Sequence, residues 1–287
     1  MKKLFFVAIA AIAMLSAASC EKKNDYIGLQ MYSVRQYLDP MPDALQKIAD
    51  AGYSFVEMAG YDGNGNFYGV APAEFKAMAN KAGLDVLCSH TGGPNPCVTD
   101  HQTCIDWWAK AIDAHAEVGC VAIVVPGMGG EAYASAEGLQ QYCSLFNEVG
   151  QMCADKGLKF GYHNHHAEFT VKFDQPDGSQ ISVYDYMLQN TDPEKVFFEI
   201  DLYWATVGGV NPVDVMEANA GRFYFWHVKD ELEVGASGKI DFPEIYKHAS
   251  VAGMKYQVVE QEAYTEGVDP FESVKRSCDY TKTMIPE

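Results

Sequence analysis

The chain has 287 residues, with 39 Asp and Glu against 21 Lys and Arg, for a formal charge of −18. That balance excludes a nucleic-acid binder, because phosphate backbones are held by basic surfaces. Arginine occurs only at Arg35, Arg222 and Arg276, which also argues against a phosphate clamp built from guanidinium forks.

Lys2 and Lys3 precede an apolar stretch from Leu4 to Leu15, followed by small residues and Cys20. This charge, length and exit pattern predicts a secretory signal over residues 1–19; the alternative is a buried N-terminal helix. The stretch is shorter than the roughly 20 residues a membrane span needs. The run LSAASC, ending at Cys20, resembles a bacterial lipobox. That resemblance implies cleavage before Cys20, a lipid on its thiol, and a mature protein anchored to a membrane outside the cytoplasm, in the periplasm or at the cell surface. Residues 20–25 read as a polar tether and residues 26–287 as one catalytic domain.

Strand-like and helix-like runs alternate along that domain. The pattern predicts strand 1 at Ile27–Ser33 and a helix at Pro42–Ala51, then strand 2 at Phe55–Ala59 and a helix at Pro72–Ala82. Strand 3, Leu84–His90, leads through a Gly/Pro loop to a helix at Asp100–Val118. Strand 4, Ala122–Pro126, precedes a helix at Ala136–Lys156. Strand 5, Lys159–Asn164, is followed by a Pro-Asp-Gly turn signal, which predicts a hairpin before the helix at Val183–Gln189. That hairpin would overhang the active face as a cover, or be a surface loop only. Strand 6, Val196–Asp201, precedes Pro212–Ala218; strand 7, Phe223–Lys229, precedes Phe242–Ala252; strand 8, Tyr256–Glu260, precedes Pro270–Thr283. Gly52, Gly83, Gly119, Gly157 and Gly253 stand where helix C-caps belong. Eight such units in about 250 residues predict an α/β fold, a single parallel (β/α)8 barrel.

Of the eight cysteines, Cys97 and Cys104 lie close enough in one loop to bridge in an oxidising compartment. Cys88 and Cys120 read as small buried hydrophobes. The absence of a CxxC pair argues against a thiolate metal cluster.

In such a barrel, chemistry collects at the C-terminal ends of the strands. His163 and His165 share one face at the end of strand 5, because side chains alternate along a strand. Asp201 ends strand 6, with Glu199 two residues deeper on the same face as a group that could orient a ligand. His227 and Lys229 share a face on strand 7, where Lys229 is either an electrostatic partner or a side chain reaching for solvent. Glu260 ends strand 8, with Glu262 beyond it. His163, Asp201, His227 and Glu260 form a mixed imidazole–carboxylate set suited to Mn, Zn or Co. Gln30, Tyr32, Glu57, His90 and His165 offer hydrogen bonds to sugar hydroxyls. Trp204, directly after strand 6, offers a flat face, as do Tyr68, Trp107, Trp108 and Tyr203, although helical aromatics are usually core.

IGLQMYSVR, CSH, GYHNHHAEF, FWHVKD and VVEQE together resemble the xylose isomerase-like TIM-barrel superfamily, the sugar isomerase/epimerase group, over Ile27 to the C-terminus. The resemblance implies a metal held by Glu, Asp, His and Glu from strands 5, 6, 7 and 8. Asp201, His227 and Glu260 match that set, and His163 stands in place of the strand 5 glutamate. In this group the two glutamates pass the proton in epimerisation, so the substitution departs from that pair.

The resulting expectation is a metal-assisted isomerase or epimerase acting on a non-phosphorylated carbohydrate. Glu260 or His163 would be the base beside a carbonyl, and Lys229 would assist. Two alternatives stand beside it. The same enediolate could expel a β-substituent, giving a lyase or hydratase on 3-keto glycosides. A sugar-binding lipoprotein could also have kept the pocket and lost turnover.

Overall fold

A computed structural model describes residues 26–285. The expected leader and the whole tether, Cys20 included, lie outside the described residues. Eight strands alternate with helices: β1 (Ile27–Gln30), β2 (Phe55–Met58), β3 (Asp85–His90), β4 (Ala122–Val125), β5 (Lys159–His163), β6 (Val196–Asp201), β7 (Phe225–Val228) and β8 (Tyr256–Val259). All pair in parallel with their sequence neighbours, and β8 closes on β1. The expected (β/α)8 barrel is therefore the observed fold.

The period-2 pattern of the strands sorts side chains into two cores. On β6, Val196, Phe198 and Ile200 face the helices, while Phe197 joins a cluster inside the barrel. That interior cluster includes Phe55, Phe197, Phe225 and Val258, and it plugs the N-terminal end. The plug explains two strand glycines. A Cβ on Gly28 would lie 2.1 Å from the Phe55 ring, and one on Gly161 would lie 2.5 Å from Phe197. With the floor filled by rings, polar interior positions are left for the upper layers, at the loop end where β/α barrels carry their sites.

Most element boundaries agree with the sequence pattern, and the differences have local causes. β1 stops at Gln30 because its side-chain oxygen accepts from Tyr32 N (3.0 Å) and opens a 3₁₀ helix, Met31–Tyr37. The expected helix over 242–252 is two pieces, Phe242–Tyr246 and Ala249–Ala252, since Lys247 and His248 bond three residues back. Short helices at Glu131–Ala134, Ala167–Thr170 and Leu202–Val207 are too brief to show a period. The expected hairpin forms from Lys172–Asp174 and Gln180–Ser182. The five cap glycines all have left-handed φ, from 78° to 96°. Cys97 and Cys104 are free thiols, so the bridge between them is not formed. Cys97 Sγ is turned to Gly138 O and Cys104 Sγ to Thr99 O. No helix among the described residues is long and apolar enough to cross a membrane.

Candidate active site and metal centre

The upper barrel interior is a stack of ionisable groups, nearly all buried. The lower layer contains Glu57, Glu199 and His90. Glu57 Oε2 accepts from Gln30 Nε2 (2.8 Å) and lies 2.6 Å from His227 Nε2, and Glu57 Oε1 accepts from the Cys88 thiol. Cys88 is thus buried as expected, but it faces polar partners. His90 Nε2 is 2.8 Å from Glu199 Oε2, which lies 3.4 Å from His227 Nε2.

The upper layer contains His163, Asp201, His227, Lys229 and Glu260. His163 Nε2 lies 3.3 Å from Asp201 Oδ2, and His227 Nδ1 lies 3.3 Å from Glu260 Oε2 and 3.9 Å from Asp201 Oδ2. Asp201 also caps the helix Leu202–Val207, its Oδ1 accepting from Trp204 N (2.7 Å). Asn164, on the opposite side of the chain from His163, accepts from Asp201 N through Oδ1 and fixes that backbone. Lys229 is 1% exposed, which overturns a solvent-seeking role. Its Nζ bonds Glu260 (2.9 Å) and Glu262 (2.5 Å) and lies 5.0 Å from the Trp204 ring centre.

These surroundings set the charge states. Burial and the neighbouring histidines hold His163 well below the ordinary range, leaving it neutral. Burial also disfavours charge on His227, but Glu199, Glu57 and Glu260 outweigh it and hold its pKa well above the ordinary value. Burial pushes Asp201 up to about 7, against the pull of Lys229 and His227. For Glu260 burial is outweighed by His227 and Lys229, which hold it below the usual carboxylate range.

One ligand atom each from His163, Asp201, His227 and Glu260 falls within 4.8 Å of the others. His163 Nδ1 and His227 Nδ1 are buried without an aligned hydrogen-bond partner. His163 is already a neutral donor, and His227 becomes one on giving up its proton; with the two carboxylates at this spacing the set fits a divalent metal. The hydrogen bond from His227 Nε2 to Glu57 is the support such a ligand usually has.

Above the cluster opens a pocket of about 490 Å³. His163 and Glu260 line it, whereas Asp201 and His227 do not. Of the residues expected to touch sugar, Tyr32, His90, His165 and Trp204 line the pocket. Gln30 and Glu57 lie fully buried below it, so the structure does not place them on its wall. Tyr61, Thr91 and Pro126 line it from loops, where the strand pattern carries no signal. Glu262 joins them, visible in sequence only as the residue two beyond Glu260. Of the other expected aromatic faces, Trp107, Trp108, Tyr68 and Tyr203 do not reach it. The hairpin also contributes none of its lining.

The model of the xylose isomerase-like TIM barrel family matches residues 45–284. A crystal structure of a sugar phosphate isomerase/epimerase from Parabacteroides distasonis is 32% identical, with a TM-score of 0.83, covering 96% of this chain and 100% of that one. A 3-keto-D-glucoside 4-epimerase from E. coli shares the fold at 20% identity and a TM-score of 0.67, covering 90% of this chain and 98% of that one. An inosose dehydratase from Geobacillus kaustophilus is 21% identical over 219 residues, covering 69% of this chain and 66% of that protein. The chain thus spans just under two thirds of that relative's length.

Proposed function

Since the chain belongs to the xylose isomerase-like TIM barrel family, we propose that it is a metal-assisted enzyme that moves a proton on the carbon beside a carbonyl of a non-phosphorylated carbohydrate. The observation that carries this reading is the convergence of His163, Asp201, His227 and Glu260 beneath the pocket. A divalent ion bound there would supply Lewis acidity to a substrate carbonyl or hydroxyl oxygen. Glu260 and His163 are the two members of the set that also line the pocket, which supports our assigning them the acceptance and return of the proton. His227 and Lys229 keep Glu260 ionised, and the Lys229 hydrogen bond orients it. Tyr32, Tyr61 and Trp204 give apolar faces for a sugar ring.

A phosphate fits this pocket poorly. No arginine lines it, Lys229 is already bound to two carboxylates, and Glu262 stands on the wall.

One observation favours elimination as a second reading. By the family resemblance His163 stands where a strand 5 glutamate would be, which would leave the site without the two-carboxylate pair that exchanges a proton across both faces. Loss of a β-substituent needs one base and a leaving group, which Glu260 alone can serve. The dehydratases among the relatives, and an epimerase named for a 3-keto glucoside, are consistent with oxidised sugars as substrates. We also propose, from LSAASC, that the protein is lipid-anchored at Cys20 outside the cytoplasm; mass spectrometry of the N-terminal peptide tests this, and an unmodified Cys20 sinks it.

Proton NMR in D₂O, with Mn or Zn added, tests the chemistry on free ketoses, aldoses and 3-keto glucosides. The expected result is deuterium beside the carbonyl, with the product separating epimerisation from elimination. Full activity in a metal-free Asp201→Ala protein would overturn the mechanism. Saturable sugar binding without exchange on any substrate would leave a binding protein.

A further inference from the structure

The layer beneath the proposed metal centre contains a second set of ligand atoms. Glu57 on β2, His90 on β3, Glu199 on β6 and His227 on β7 come from two pairs of neighbouring strands that face each other across the barrel. The residues two positions before them, Phe55, Cys88, Phe197 and Phe225, all belong to the plug inside the barrel. Alternation along each strand therefore sets the four side chains one step above that plug, pointing inward.

Their atoms form a closed ring. Going round it, His227 Nε2 to Glu57 Oε2 is 2.6 Å and Glu57 Oε2 to His90 Nε2 is 3.5 Å. His90 Nε2 to Glu199 Oε2 is 2.8 Å, and Glu199 Oε2 to His227 Nε2 is 3.4 Å. The centre of such a ring lies about 1.9 Å from each atom if it is folded into a tetrahedron and about 2.2 Å if it is flat, against ~2.0–2.2 Å for zinc to imidazole nitrogen or carboxylate oxygen. Two imidazoles with two carboxylates suit zinc better than magnesium or calcium, which take oxygen ligands.

A second observation points to a cation. Glu199 is fully buried, and its Oε1 has no hydrogen-bond partner. Glu57 is equally buried and shares both histidines with it. Two carboxylates this close above an apolar floor repel each other, and each is costly without a cation. An ion between them relieves both, with Glu199 Oε1 available for a further bond. Gln30 Nε2 (2.8 Å) and the Cys88 thiol (3.0 Å) donate to Glu57 and hold it in place from outside the ring. Of the four residues only His90 reaches the pocket. Four protein ligands with no position left for substrate are the arrangement of a structural ion rather than a catalytic one.

We propose that Glu57, His90, Glu199 and His227 hold a structural zinc ion beneath the ion of the upper layer, kept by the protein when the upper one exchanges. With both ions bound, His227 serves the lower through Nε2 and the upper through Nδ1, as an imidazolate whose two ring protons pass to solvent. The buried charges then close: two divalent ions and Lys229 balance Glu57, Glu199, Asp201, Glu260 and the imidazolate. This inference shares His227 with the ligand set proposed above and does not depend on the carbohydrate reading.

The test follows two metals in one protein. The full chain is produced with zinc, dialysed against zinc-free buffer and then given Mn. It should retain one zinc per chain by mass spectrometry of its metals and take up one Mn. Anomalous diffraction at the zinc edge should place the zinc among Glu57, His90, Glu199 and His227. Glu199→Gln, nearly the same shape, should lose the retained zinc, whereas Asp201→Asn should keep it and take up no Mn. If Glu199→Gln does not fold, the zinc position in wild type and its retention by Asp201→Asn still decide. Zinc retained nowhere, found only among His163, Asp201, His227 and Glu260, or kept unchanged by Glu199→Gln overturns the lower site and leaves the proposed activity standing. Zinc in the lower site with no Mn bound above would instead sink the metal-assisted reading and leave the lower site intact.

Discussion

His115 gives a prediction whose size follows from its surroundings. It is fully buried within the helix His101–Val118, with Nδ1 2.6 Å from Ala111 O and Nε2 3.0 Å from Thr91 Oγ1, on the pocket wall. The rings of Phe67 and Tyr61 pack on it at 4.8 and 5.1 Å. A neutral ring satisfies both contacts: Nδ1–H donates to the carbonyl and Nε2 accepts from the hydroxyl. Burial accordingly pushes its pKa from 6.5 down to about 4, with the Ala111 bond opposing the shift. The unfolded chain therefore takes up this proton at higher pH than the folded one. Stability from a neutral His115 is fully present above about pH 6.5 and is lost as pH falls through 4, by about 3 kcal/mol at ~1.4 kcal/mol per tenfold. Other groups titrate over the same range, so the measurement is a difference: urea unfolding of wild type and His115→Gln at pH 7.5, 5.5 and 4. The stability gap should shift by about 3 kcal/mol against wild type as pH falls. Parallel pH profiles for the two proteins would refute the reasoning.

Three further outcomes are expected. Glu57→Gln should weaken Mn or Zn affinity about 10–100-fold, the usual effect of losing the carboxylate behind a metal-ligating histidine; a chelator-dye competition that finds no change would contradict the role given to His227. Lys229→Met leaves Glu260 with His227 as its remaining cation and takes the ammonium from the part-exposed Glu262, so in metal-free protein it should cost about 3 kcal/mol, the lower end for a broken buried pair. Thermal unfolding should show more of that loss recovered by Mn than wild type gains, and an equal gain would deny that metal and ammonium balance the same carboxylates. Saturating metal, at ~100 times Kd, should stabilise wild type by about 2.7 kcal/mol and Asp201→Asn hardly at all; equal stabilisation would remove Asp201 from the ligand set.

The barrel was legible because its signals repeat. Each unit has a short apolar run and a helix, and five of the eight helices are followed by a left-handed cap glycine; what escaped the pattern was local, such as Gln30 turning its side chain onto Tyr32 N and the short helices after the strands. The convergence of His163, Asp201, His227 and Glu260 was legible for the same reason, since strand ends in one sheet must meet. Depth was not. Alternation says that Gln30 and Glu57 point inward, but not that they lie a layer below the pocket, because that depends on barrel stagger between strands. The fate of Lys229 was equally hidden, since its burial depends on Glu260 and Glu262 arriving from another strand. Tyr61 and Thr91 come from loops, whose course follows from packing on His115 and its neighbours rather than from any period.

The two layers meet at His227, and its geometry argues for what the upper layer holds. Nε2 is anchored below by Glu57, so the ring cannot turn without breaking a buried 2.6 Å contact. Nδ1 therefore points up, towards Glu260 and Asp201, with no aligned hydrogen bond of its own. His163 Nδ1 is likewise unpaired. Buried imidazole nitrogens left unpaired are costly, and buried carboxylates beside them are costlier unless a cation balances them. Loose packing would relieve neither cost, whereas a divalent cation among these four side chains relieves both. Lys229 and a charged His227 balance part of the charge of Asp201, Glu260 and Glu262 in the metal-free protein, and a divalent ion would take the place of the His227 proton. On this reasoning the lower layer tunes how tightly the ion is held and the upper layer decides whether it is held. Substitutions at Glu57 should therefore scale metal affinity, while substitutions at Asp201 should abolish it.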